Sequence, residues 1–134
     1  MRNFIPGPNQ ERWLDALETG MLDGKPYVQG KGRLFRRCKH CCIGVGAAMF
    51  LPAGVMEINW LGDGVFADEA LVAPRYLVEA LRLYGPSGQA RKHGHRNLAA
   101  LNDGGGYFGI ASLSHPEIAA LIRSDPAMYF EVPA

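Results

Sequence analysis

Apolar residues recur at helical spacing in two well-marked stretches of the chain. Trp13, Ala16 and Leu17 fall at i, i+3 and i+4, which predicts a helix capped at Asn9, running through about Thr19 and stopped by Gly20. Ile118, Leu121 and Ile122 repeat the pattern behind Ser114-x-x-Glu117, a capping box with Pro116 near the helix start. A third stripe, Tyr76 or Leu77 with Ala80, Leu81 and Tyr84, predicts a helix opening at Pro74 and closed by Gly85-Pro86.

Between the first two helices the pattern changes. Tyr27 to Arg37 alternates, which predicts a strand with Val28 and Leu34 on the buried face and Gln29, Lys31 and Arg33 outside. Gly30 and Gly32 weaken it and point to a bulge or a close backbone approach. Cys41 to Leu51 is apolar on every side, so it is read as a buried helix ended by Pro52. Gly44, Gly46, Ala47 and Ala48 would let neighbours come close. Shorter readings complete the chain: Asp23-Gly24 as a turn, a strand near Val55–Trp60, a helical turn over Asp68–Ala73 and a short helix or strand over Arg96–Leu101. Tyr107–Leu113 reads as a strand and Met128–Val132 as a last extended piece. The expected fold is α+β, a single compact domain over 1–134, with residues 1–8 as an arm. A buried central helix after the cysteine pair would pack on a small, mainly antiparallel sheet.

Composition narrows this only in places. A chain of 134 residues can bury a core without staples, and a net charge of +1 argues against a generally polybasic nucleic-acid binder. The charge is nevertheless uneven. No acid occurs from Gly24 to Met56 or from Ala80 to Asn102, and both tracts carry several cations. The three cysteines are expected to be reduced thiols, since adjacent Cys41 and Cys42 are poorly placed to pair, and the N-terminus has no leader-like apolar run. The longest uncharged run, Cys41 to Met56, holds 16 residues and a proline, fewer than the roughly 20 a spanning helix needs. The expectation is a cytoplasmic protein in a host cell, without membrane attachment.

The motifs Trp13-x-x-Ala16-Leu17, Gln29-Gly30-x-Gly32-x-Leu34, Cys41-Cys42-x-Gly44-Val45, Leu101-Asn102-Asp103-Gly104 and Ile118-Ala119-x-Leu121-Ile122 carry a resemblance. The chain resembles a group of small bacteriophage and prophage proteins with no established activity. It departs from them in the insertion Gly105–His115, in Cys38 and in His93-Gly94-His95. The resemblance implies a phage-linked origin and no particular chemistry.

Four kinds of chemistry fit these residues. The first is binding of an anion, such as a phosphate-bearing small molecule, by Lys31, Arg33 and Arg37 with Arg91, Lys92 and Arg96. Backbone amides at the start of the Cys42 helix would assist, and Tyr27, Phe35, Tyr107 or Phe108 would stack on a base. The second is a cysteine hydrolase. Cys42 or Cys41 at a helix N-terminus, near Arg36, Arg37 and Lys39, would have a lowered pKa. His95 (or His93 or His40) would serve as base, Asn102 or Asp103 would orient it, and Gln29 would donate to an oxyanion. That order is similar to the papain-like hydrolases, without their signature around the nucleophile. The third is a metal site from Cys38, Cys41, His93 and His95, whose 51-residue gap between pairs fits no finger spacing, so no metal or cofactor is assigned. The fourth is a protein-binding surface presenting Trp60, Phe66 or Tyr129. Sequence-specific DNA reading by a helix-turn-helix is not expected, because the residues after Asp125 in this sequence form no second, recognition helix. The balance of these readings is an accessory protein that binds a protein partner or an anionic ligand, without turnover.

Overall fold

The structure is a computed structural model that describes residues 4–52, 56–91, 97–104 and 112–133. It is an α+β fold. Helix α1 (Pro8–Thr19) is followed by the short strands β1 (Met21–Leu22), β2 (Lys25–Pro26), β3 (Val28–Gln29), β4 (Phe35–Arg36) and β5 (Lys39–His40). Helix α2 (Cys42–Met49), strands β6 (Glu57–Ile58) and β7 (Gly64–Val65), and helices α3 (Arg75–Leu81), α4 (Leu98–Asp103) and α5 (His115–Ser124) complete the order. A 3-10 turn, Pro126–Met128, comes last.

The core lies among the helices. Trp13, Leu14 and Leu17 of α1, Ile43 and Val45 of α2, Leu77 and Leu81 of α3, Leu98 and Leu101 of α4, and Ile118 and Ile122 of α5 are all buried. Helix α2 is the central piece, as its uniformly apolar sequence predicts. It is buried from Cys42 to Ala47 and packs against α1, α4 and β5. Its glycines are what permit this. A Cβ on Gly44 would overlap the main-chain carbonyl of Leu34, and one on Gly46 would press Leu77 and Trp13 at 3.0–3.2 Å. The Trp13 indole closes the contact by donating to Cys42 O at 2.9 Å.

Both helices marked most clearly in the sequence are present, with one change of cap. Ser114 and Glu117 form the expected capping box of α5. Helix α1 is capped at Gly7 rather than Asn9, with Pro8 as its first residue. Proline's missing N–H and fixed φ suit that position, and the Gln10 side chain takes the Gly7 N–H at 2.7 Å. The adjoining segment is not a free arm where it is described: Phe4 meets Phe130 edge-on, centroids 6.4 Å apart.

The predicted Tyr27–Arg37 strand is broken. β3 stops at Gln29, a loop with Gly32 at φ 77° follows, and the chain re-enters as β4. The faces are also the reverse of the alternation. Val28 is 56% exposed, whereas Gln29 turns inward to hydrogen-bond the core. A loop at the glycines lets Leu34 become fully buried without the strand staying in register. The resulting sheet has the order β3-β5-β4, with β3 and β5 parallel and β4 and β5 antiparallel.

Asp23-Gly24 is a turn as expected, with both residues at positive φ. Asp68–Ala73 is not helical. Ala67 and Asp68 instead form a tight turn in which the Phe66 and Glu69 amides each donate to the other's carbonyl. Of the expected Tyr107–Leu113 strand, Tyr107 to Ala111 lies outside the described residues, and Ser112 and Leu113 are not in a strand. Tyr129 to Val132 follows the 3-10 turn with one bridge, Phe130 to Leu83. No described helix is long and apolar enough to cross a membrane.

Candidate anion-binding cavity and the polar network beneath it

Strands β4 and β5 are joined by two residues, Arg37 and Cys38, at φ 52° and φ 63°. Consecutive positive φ values are what a two-residue hairpin demands, and asparagine and glycine normally supply them. Arginine and cysteine carry a Cβ into that conformation at a cost of order 1 kcal/mol each. The hairpin thereby projects a guanidinium from its tip.

That tip borders a cavity of about 340 Å³ lined by Gln29, Gly30, Lys31, Arg33, Arg36, Arg37 and Lys39. Five of these seven residues are cations and none is acidic. The nearest acid in the ion pairs is Asp63, only 2% exposed, which takes Arg33 Nε at 3.2 Å. Arg36 Nε lies 2.6 Å from the other carboxylate oxygen, a charge contact without the alignment of a hydrogen bond. Asp63 thus fixes two arginines at one side of the cavity. Lys31, Arg37 and Lys39 have no acidic partner among the described residues.

Of the six cations assigned to anion binding from sequence, Lys31, Arg33 and Arg37 come together here. Arg36 and Lys39 join them, a placement that follows from the hairpin and that simple alternation does not reveal. Arg91 is exposed and lines no part of the cavity. Lys92 and Arg96 lie outside the described residues. The amides of the α2 N-terminus are not offered to a ligand either. Cys42 N donates to Asn102 Oδ1 at 3.0 Å, and Gly44 N donates to Cys41 Sγ at 3.3 Å.

Beneath the cavity lies a buried polar network centred on Asn102. Its amide has one orientation, because Cys42 N–H can only donate to it and Gly30 O, at 2.7 Å from Nδ2, can only accept. Asn102 Oδ1 therefore accepts from His115 Nε2 at 2.8 Å, which places the imidazole proton on Nε2. His115 Nδ1 is then the acceptor for the Tyr27 hydroxyl at 2.7 Å. Gln29 connects the network to the cavity. Its Oε1 takes His115 N–H at 2.9 Å, and its Nε2 donates to Leu113 O at 2.8 Å.

Burial sets the protonation states. It lowers the His115 pKa to about 4, with neighbouring His40 acting in the same direction, and lowers that of His40 as well. It raises the Tyr27 hydroxyl far above its ordinary value. Cys41 is pushed up to about 11 and Cys42 well above the usual thiol range, again chiefly by burial. This is the opposite direction from the lowering expected of a helix N-terminus near arginines. The cations line the solvent-facing cavity, while the thiols lie in the core, Cys42 with its Sγ donating to Leu98 O at 3.6 Å. Desolvation outweighs the helix dipole there.

The residues assigned to hydrolase chemistry are therefore brought together only in part. Gln29, Asn102 and the Cys42 backbone meet, and Asp103 Oδ1 accepts from Asn102 Nδ2 at 2.8 Å. His93 and His95 lie outside the described residues. His115, which sequence reading passed over as part of an insertion, is the histidine that Asn102 holds. Only its place as the first residue after a capping serine could have drawn notice. Cys38 is exposed and Cys41 buried, and no group of metal-ligating side chains occurs among the described residues. Of the three aromatic anchors considered, Trp60 is 91% exposed, whereas Phe66 and Tyr129 are buried. Comparison with protein-family models, curated proteins and solved structures finds no match to this chain.

Proposed function

We propose that this protein is a small accessory protein that binds a phosphate-bearing ligand in the β3–β5 cavity, without turnover. The observation that carries this reading is the lining itself: five cations around about 340 Å³, with no acid on the wall. A net charge of +1 for the whole chain means that such a concentration is local, not a consequence of general basicity. The strained Arg37–Cys38 turn supports it, since backbone strain in folded proteins concentrates at functional sites. The raised thiols favour binding over catalysis, because the thiolate and not the thiol is the nucleophile. A phage origin rests on the sequence resemblance alone, and a reducing cytoplasm would suit three free thiols.

The test is calorimetric titration with inorganic pyrophosphate. Wild type is expected to bind, more weakly as salt rises. Lys31→Glu with Arg33→Glu should abolish binding. Because Arg33 also holds Asp63, Lys31→Glu with Lys39→Glu is the companion variant, since it leaves the Asp63 partners in place. If a folded companion variant binds pyrophosphate as wild type does, the basic lining is merely a solvated face.

A further inference from the structure

The hairpin that supplies Asp63 to two of the cavity's cations also carries the most exposed large apolar side chain among the described residues. Trp60 is 91% exposed, flanked by Ile58 at 57% and Leu61 at 51%. All three belong to the hairpin of β6 and β7, with Trp60 at its turn. The turn is firmly built. Asn59 Oδ1 accepts from Leu61 N and Asp63 N, both at 3.0 Å, Gly62 N donates to Asn59 O at 3.0 Å, and Asn59 N donates to Asp63 O at 2.9 Å. An indole on such a mount is a preorganised platform, not the tip of a loose loop. The mount is also fixed to the cavity. Asp63, three residues after Trp60, bridges to Arg36, and its carboxylate holds Arg33 and Arg36, two of the five lining cations.

We propose that cavity and hairpin together take a single-stranded nucleic acid, with backbone phosphate in the cavity and a base stacked on Trp60. This rests on the reading of the cavity as a phosphate site. A rigid aromatic platform beside a positive groove is how single strands are held without sequence preference, because every base offers a π-face and every nucleotide a phosphate. A bilayer surface fits less well. Its headgroups form a plane, whereas these cations line a concavity and two of them are drawn toward a buried carboxylate. An acidic peptide would satisfy the cations but gives the indole no regular partner.

The experiment follows fluorescein-labelled dT12 and U12 by anisotropy at 50 and 200 mM salt, with pyrophosphate calorimetry on the same samples. Wild type should bind at least one oligonucleotide, lose affinity at the higher salt, and show quenching of its exposed indole. Trp60→Ala should weaken oligonucleotide binding by about tenfold, the loss of one stacked base, while pyrophosphate binding stays the same. At 91% exposure the substitution leaves the core untouched, which circular dichroism checks. Lys31→Glu with Lys39→Glu should lose both probes. If pyrophosphate binds and neither oligonucleotide does, the strand proposal is overturned and the phosphate cavity stands. If neither probe binds, the cavity reading itself falls. Oligonucleotide binding indifferent to Trp60→Ala removes the stacking role. Sedimentation with phosphatidylserine vesicles that depends on Trp60, without oligonucleotide binding, assigns the surface to membranes instead.

Discussion

Asn102 is fully buried and has a partner for each polar atom of its side chain, so the side chain acts as a connector. It fills an orphan donor at the start of α2, a carbonyl at the end of β3 and the imidazole at the start of α5. The consequence falls on His115. In the unfolded chain this histidine takes a proton near pH 6.5, and in the folded protein only near 4. Between those values the unfolded state holds more protons, so stability is fully retained above 6.5 and is lost as pH falls through the window. His40, also lowered, adds in the same direction. Urea denaturation at pH 7.5 and 5.0 should show a loss of about 2 kcal/mol from His115, and His115→Gln should remove most of it. The thiols give a second residue-level expectation. Site-resolved alkylation of the native protein should label exposed Cys38 and leave Cys41 and Cys42 unlabelled until unfolding. Rapid native labelling of Cys42 would reopen the nucleophile reading.

At the scale of elements, close approach decides more than hydrogen-bond ladders, since no strand exceeds two residues among those described. Gly44 is the sharpest case. Its hydrogen faces a main-chain carbonyl that cannot swing aside, so Gly44→Ala should cost about 3 kcal/mol or more, or prevent folding. At Gly46 the neighbours are side chains that can give way, so Gly46→Ala should cost distinctly less in thermal denaturation. The β4–β5 turn works in the other direction. Cys38→Gly removes a Cβ from positive φ and should raise stability by about 0.5–1 kcal/mol, with pyrophosphate affinity kept. These elements also show what the sequence could say. The capping box of α5, the helical stripes and the need for small residues in α2 are local rules, and they were legible, whereas the α1 cap fell two residues before the expected Asn9. The strand from Tyr27 was not, because glycines at 30 and 32 allowed a loop and tertiary bonds turned Gln29 inward, overriding alternation. Nor could spacing reveal His115 beside Asn102, or Arg36 and Lys39 beside Lys31. The first exists only once α4 and α5 meet, and the second only once β5 pairs with both β3 and β4.

On the whole-molecule scale, the fold separates two electrostatic regimes by the thickness of one strand. On β5, Lys39 faces the cavity and His40 the core. Gln29 touches both, lining the cavity while holding the backbone of His115. Charge on the outer side is solvated and screened, so its effect should appear in ligand affinity and its salt dependence. Charge on the inner side is excluded by burial, so its effect should appear in stability against pH. The two should therefore be separable in one protein. Pyrophosphate at a hundred times its dissociation constant should stabilise wild type by about 2.7 kcal/mol. Lys31→Glu with Lys39→Glu should lose that increment entirely yet keep the wild-type fall in stability between pH 7.5 and 5.0. His115→Gln should do the reverse, keeping the ligand increment and losing most of the pH dependence, with the His40 share left. If the charge-reversed variant also loses its pH dependence, the cavity and the buried network titrate as one unit. Gln29 and the β5 strand would then transmit charge between them instead of insulating one from the other.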